Sequence, residues 1–133
     1  MDARLRRRVQ LRARNRCEYC RLRQKHDPFH SFHVEHIIAK QHRGSTKFEN
    51  LAWACHQCNL HKGTNFASFD PDTDEVVRLF HPRKDRWTDH FKLEGSRILG
   101  ISAIGRTTAW LMQMNSEERL ELRRLISELD ELD

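Results

Sequence analysis

The placement of the four cysteines constrains this chain more than any other feature. All of them fall into two pairs, Cys17-x-x-Cys20 and Cys55-x-x-Cys58, and none is left over. A two-residue gap lets both sulfurs of a pair turn toward one point, and two such pairs complete the closed tetrahedral shell of a structural zinc site. Two disulfides are the competing reading. Met1-Asp2-Ala3-Arg4 runs straight into arginines without the apolar stretch of a secretion signal. The expectation is therefore a cytoplasmic, nucleoid-associated chain whose thiols stay reduced and bind Zn2+. An ion held by four thiolates has no open position for substrate, so this metal folds the protein and its binding energy is folding energy.

The 34 residues between the two pairs exceed the usual gap of a zinc ribbon, so a structural insert is expected inside the zinc framework. Ahead of it, Leu5, Val9 and Ala13 recur every four positions among arginines, which predicts a basic helix over residues 3–16. Phe32 to Ile38 is rich in β-branched and aromatic residues and reads as a strand, Gly44-Ser45 as a loop, and Leu51 to Ala54 as a second strand. A short helix follows Cys55 and stops at Gly63, a residue suited to a C-terminal cap. Charge is divided along the chain. Residues 1–63 hold 14 Lys and Arg against 5 Asp and Glu, a net +9, whereas residues 64–133 hold 10 against 14, a net −4. Contact with a polyanion therefore belongs to the first half, with a merely solvated charged face as the plain alternative.

A chain of 133 residues fits one domain of ordinary size. The expected layout is a core over residues 1–66 and an extension over 67–133, strand plus helices, packed on that core as part of the same domain. No apolar run approaches the roughly 20 residues that cross a bilayer, so no membrane partner is expected, and no small-molecule cofactor is evident. Asp70-Pro71-Asp72-Thr73-Asp74 invites a calcium-loop reading. It fails, because that loop needs glycine at its sixth position and glutamate at its twelfth, where this chain has Glu75 and His81. The acidic run is instead a turn before a strand over Glu75 to Phe80. Helices are expected over Thr107 to Met114 and Ser116 to Leu132, the latter capped by Ser116 with Glu117 and Glu118 in its first turn. Leu122, Leu125, Ile126, Leu129 and Leu132 mark its packing side, with oligomerisation through it as the minority reading. Trp53, Trp87 and Trp110 have apolar neighbours and are expected in the core.

Taken together, the two Cys-x-x-Cys pairs, Val34-Glu35-His36-Ile37-Ile38, Gly44, Asn50-Leu51 and Cys58-Asn59-x-x-Lys62-Gly63 resemble the zinc-supported His-Asn-His (HNH) endonucleases, also called ββα-metal nucleases, in their small stand-alone bacterial form. The resemblance covers residues 14–63, and the segment from Phe66 onward looks like an extension seen in such members. It implies an α+β fold: a small zinc-stabilised ββα-metal domain with a basic N-terminal helix and a helical C-terminal extension. It also implies a divalent-metal-dependent enzyme that hydrolyses phosphodiester bonds in DNA.

Phosphodiester hydrolysis needs a base for the attacking water, an electrophile for the charge that builds on phosphate, and help for the departing oxygen. The resemblance assigns the base to His36, whose imidazole is largely neutral at pH 7. It assigns the catalytic ion, Mg2+ or Mn2+, to Glu35 in the place where the family usually has aspartate, and to the amide oxygen of Asn59. Adjacent strand residues point to opposite faces, so Glu35 and His36 share a site only if the strand is twisted or bulged. His61 rivals Asn59, but the two project about 200° apart on a helix and only one can face the ion. Asn50 takes the middle position, tying the loop and orienting the base. Phosphate contacts fall to Arg4, Arg7, Arg8, Arg12, Lys40, Arg43 and Lys62, with Lys47 nearby, although a lysine at a helix end is also a plain dipole partner. His33, His42 and His56 read as surface or packing histidines. The rival to the enzyme is a non-catalytic zinc module that binds nucleic acid.

Overall fold

The computed structural model describes residues 1–129. They form a mixed α+β protein that divides into two compact units, one made of residues 1–66 with 81–85, the other of 67–80 and the chain from Arg86 on. Leu132, expected on the last helix, lies outside the described residues.

The first unit starts with helix α1, Ala3–Arg12, whose N-cap Asp2 accepts from the Arg4 backbone N–H at 2.7 Å. It ends earlier than the periodicity predicts because Arg14 and Asn15 turn to positive φ. Val9 is its buried residue and Leu5 is half-buried, so the expected stripe packs. Strands β1, His33–His36, and β2, Leu51–Ala54, pair antiparallel with His36 opposite Leu51 and Glu35 opposite Ala52. Helix α2, His56–Lys62, follows directly, and Cys55 is its N-cap, accepting from the Cys58 N–H. The predicted order of strand, loop, strand and helix is observed. Tyr19, Phe32, Leu51 and Trp53 fill the interior of this unit.

The second unit carries more structure than its sequence suggests. Strands β3, Ala67–Phe69, and β4, Val76–Arg78, form one hairpin. Helix α3, Trp87–His90, leads into a second hairpin of β5, Phe91–Glu94, and β6, Arg97–Gly100. Helices α4, Ala103–Leu111, and α5, Glu117–Glu128, complete it, each capped by a serine side chain, Ser102 and Ser116. Helix α4 starts four residues earlier than expected because the Ser102 hydroxyl caps it, accepting from Gly105 N–H at 3.0 Å. The acidic turn has a structural partner and needs no cation: Arg106 donates to both oxygens of Asp70, at 3.2 and 2.8 Å, while Asp72 N–H bonds Asp70 Oδ1 at 3.0 Å. The core combines Phe80, Trp87, Phe91, Ile98, Met112 and Ile126, with Trp87 stacked on Phe91 at 5.0 Å between ring centres. Trp110, expected in the core, is 57% exposed instead, and Leu125 and Leu129 are exposed too, so the packing side of α5 is narrower than its leucines imply.

Candidate active site

The four cysteine sulfurs lie within 4.8 Å of one another, all buried and none disulfide-bonded. Cys20 Sγ and Cys55 Sγ stand 3.7 Å apart. A disulfide would require about 2 Å, whereas a tetrahedron with zinc–sulfur bonds of about 2.3 Å has an edge close to 3.8 Å. Backbone N–H groups point at two of the sulfurs, Cys20 N at Cys17 Sγ (3.5 Å) and Cys58 N at Cys55 Sγ (3.4 Å), and these bonds favour thiolate over thiol. The donor set, its closed burial and its spacing fit zinc, and leave no approach for a substrate.

The loop between β1 and β2 is tied by Asn50. Its Oδ1 accepts from Ile38 N–H at 3.0 Å, and its Nδ2 donates to the carbonyls of Ile38 (2.9 Å) and Ser45 (2.7 Å). Gly44 passes so close to the end of β1 that a Cβ there would stand 1.7 Å from the Ile38 carbonyl oxygen. These two residues fix where β1 ends, and the side chain at that end is His36. Its imidazole is partly exposed, and Nε2 lies 3.1 Å from Thr46 Oγ1 on the same loop. Partial burial, with Lys40 and Lys62 nearby, holds its pKa below the ordinary imidazole value and keeps it neutral at pH 7. Thr46 was not legible as a site residue, since a hydroxyl two positions after a glycine is ordinary loop chemistry.

Glu35 takes the opposite face of β1, as strand alternation requires. It is 5% exposed, and both carboxylate oxygens are engaged: Tyr19 OH donates to Oε1, and Lys62 Nζ donates to Oε2 at 3.0 Å. As folded, this carboxylate does not fit the role of ligand to a catalytic ion beside His36. No bulge turns it there, because β1 and β2 pair residue for residue. Burial pushes its carboxyl upward, and Lys62 and Tyr19 pull it back. Asn59, the other expected ligand, sits half-buried on α2, while the rival His61 is exposed.

The expected phosphate contacts divide into two groups. Arg4, Arg7, Lys40, Arg43 and Lys47 are exposed. Arg12 is instead committed to the fold, donating to the carbonyls of Phe48 (2.9 Å) and Leu51 and lying over the Phe48 ring, which Arg8 also covers at 4.2 Å. Lys62 is a clear departure from expectation. It is 1% exposed, and its ammonium donates to Glu35, to the His36 carbonyl at 3.2 Å and to the Ile37 carbonyl at 2.9 Å. Those three bonds use all its protons, so as folded it has none for a phosphate. His33 and His56 face each other at 3.4 Å, and His56 stacks on His30, a packing arrangement as expected; His42 packs edge-on against Phe66.

Residues 17–65 match the family model described as HNH endonuclease. Among curated proteins, the Septu protein PtuB of Bacillus thuringiensis is 26% identical over 114 residues, which take in 84% of this chain and 41% of that protein. The chain thus spans about two fifths of the length of the curated relative it matches. No solved structure matches.

Proposed function

We propose, from the match of residues 17–65 to the HNH endonuclease model, that the chain is a divalent-metal-dependent endonuclease that hydrolyses DNA phosphodiester bonds, with His36 as general base. The observation that carries this reading is His36 itself: a neutral, partly exposed imidazole at the end of a strand whose position Asn50 and Gly44 fix. Its Nε2 meets a hydroxyl oxygen at 3.1 Å, the range over which a base accepts a proton from water. In the proposed step the water proton passes to His36, the water oxygen bonds to phosphorus, and the bond from phosphorus to the 3′ oxygen breaks. A divalent ion, Mg2+ or Mn2+, would supply positive charge for the phosphate and the departing oxygen. Asn59 remains a candidate to hold that ion, and the four cysteines to hold structural Zn2+. Exposed Arg4, Arg7, Lys40, Arg43 and Lys47 would draw the DNA backbone to this unit, with little base selectivity because phosphate contacts carry no sequence information.

Supercoiled plasmid with Mg2+ or Mn2+ tests this. Nicking or linearisation that disappears in His36→Ala, at unchanged zinc content, is the expected result; equal cutting by the variant sinks the assignment of the base. A second reading, a zinc module that binds DNA without cutting it, is favoured by the engagement of Glu35 with Lys62, which withdraws one expected ion ligand. Salt-sensitive binding with no cutting under any divalent metal would establish that alternative.

A further inference from the structure

The buried pair of Glu35 and Lys62 has no part in the step above, yet Lys62 donates to the backbone carbonyl of the base itself. Lys62 closes α2, and its ammonium reaches across to the carbonyls of His36 and Ile37, at 3.2 and 2.9 Å, where β1 ends. The His36 carbonyl lies on the peptide unit that follows the His36 Cα and helps set the direction of its side chain, and the Ile37 carbonyl lies on the next unit, so the lysine holds two successive peptides just after the base. A lysine at 1% exposure is costly unless its charge is met, and Glu35 meets it at 3.0 Å. Glu35 in turn accepts from the Tyr19 hydroxyl, and Tyr19 lies inside the first cysteine pair, fully buried. Helix α2 itself begins at Cys55 and contains Cys58. Both ends of this chain of contacts are therefore anchored at the cysteine cluster, and its middle grips the backbone of His36.

We propose that Lys62 is the positioning residue of the base: it clamps the His36 and Ile37 carbonyls, with Glu35 as its buried counter-charge and Tyr19 as the tie to the zinc knuckle, and Glu35 is not an ion ligand. The inference rests on the nuclease reading. It also explains a carboxylate buried next to the base with a donor on each oxygen, because a counter-ion is held by such partners, whereas a ligand to a hard cation must turn an oxygen toward the ion.

The test uses the zinc-loaded full chain and the variants Lys62→Met, Glu35→Gln, Tyr19→Phe and the double variant Glu35→Gln/Lys62→Met. The double variant removes both charges of this buried pair and keeps the fold if a single variant loses it. All are compared at a temperature where zinc content and circular dichroism match wild type. Each of Lys62→Met and Glu35→Gln should lower kcat about tenfold or more with little change in KM for DNA, and the double variant should be no worse than either alone. Tyr19→Phe should lose a fewfold. Mn2+ affinity, read by electron paramagnetic resonance without turnover, should be the same in Glu35→Gln as in wild type.

A tenfold weaker Mn2+ affinity in Glu35→Gln alone makes Glu35 a ligand and overturns the inference. So does a Lys62→Met protein that cuts as fast as wild type, which reduces the pair to structural support. Wild-type protein that cuts nothing is a separate outcome: it overturns the nuclease reading, and the catalytic meaning of the clamp falls with it.

Discussion

At the scale of single residues, the opposite faces of β1 decide what its neighbours can do. His36 looks outward and is held neutral by partial burial and by Lys40 and Lys62. A base must be unprotonated to act, so activity should rise with pH through its pKa, and the depressed pKa puts that limb on the acid side of an ordinary imidazole near 6.5. A kcat/KM profile with its acid limb above pH 6.5 would contradict this. Replacing His36 by alanine should cost about 10²–10⁴ in rate, the usual worth of a positioned base, read in the plasmid assay. The residues of this site were legible in the sequence as letters in order, and the cysteine pairs as a cluster. What sequence does not carry is the partner of a buried charge. Glu35 and Lys62 lie 27 positions apart, at no period that a strand or helix imposes. Only the crossing of α2 over the end of β1 brings them together.

At the scale of elements, the β1 to β2 loop depends on a backbone approach that admits no side chain. Gly44→Ala would drive a methyl group into the Ile38 carbonyl. It should destabilise the chain by roughly 1–3 kcal/mol or more, as overpacking does, seen as a lower urea midpoint together with weakened cutting as the end of β1 shifts. The first unit was readable because zinc pairs, β-branched runs and a glycine stop punctuate it closely. The second unit was read less well, for identifiable reasons. The hairpin of β5 and β6 turns at Gly95, whose positive φ of 60° marks a tight turn. Phe91-Lys92-Leu93-Glu94 does alternate, but four residues are too short a run to stand out, and its partner Arg97-Ile98-Leu99-Gly100 does not alternate. Helix α5 looks wide-faced by its leucines, yet a buried Arg123 takes part of that face, donating to the carbonyls of Ser96 (2.6 Å) and Met114. A buried arginine that ties up loop carbonyls is invisible to hydrophobic periodicity.

At the scale of the whole molecule, the two units rest on different sources of stability. The first is gathered around four thiols, and the second around an apolar interior that, among the described residues, contains no metal cluster. Chelation of zinc, or Cys55→Ser, should therefore abolish the protection of amides in residues 17–65 against hydrogen exchange while those around Phe91, Ile98 and Met112 persist. Equal loss in both would mean that one cooperative unit spans the chain. Charge acts at this scale too: Arg4→Gln and Arg7→Gln should each reduce the salt slope of DNA binding by about one, without changing zinc content. The chain also does not visit its units in turn. After building its first hairpin in the second unit it returns for residues 81–85, where Arg83 pairs with Glu18 beside the first cysteine, and then leaves again. A break in the chain after residue 66 would thus strip the first unit of an arginine that pairs beside its own cysteine cluster. No single cut in the coding sequence would part the two units whole, because each is built from two separated stretches of chain.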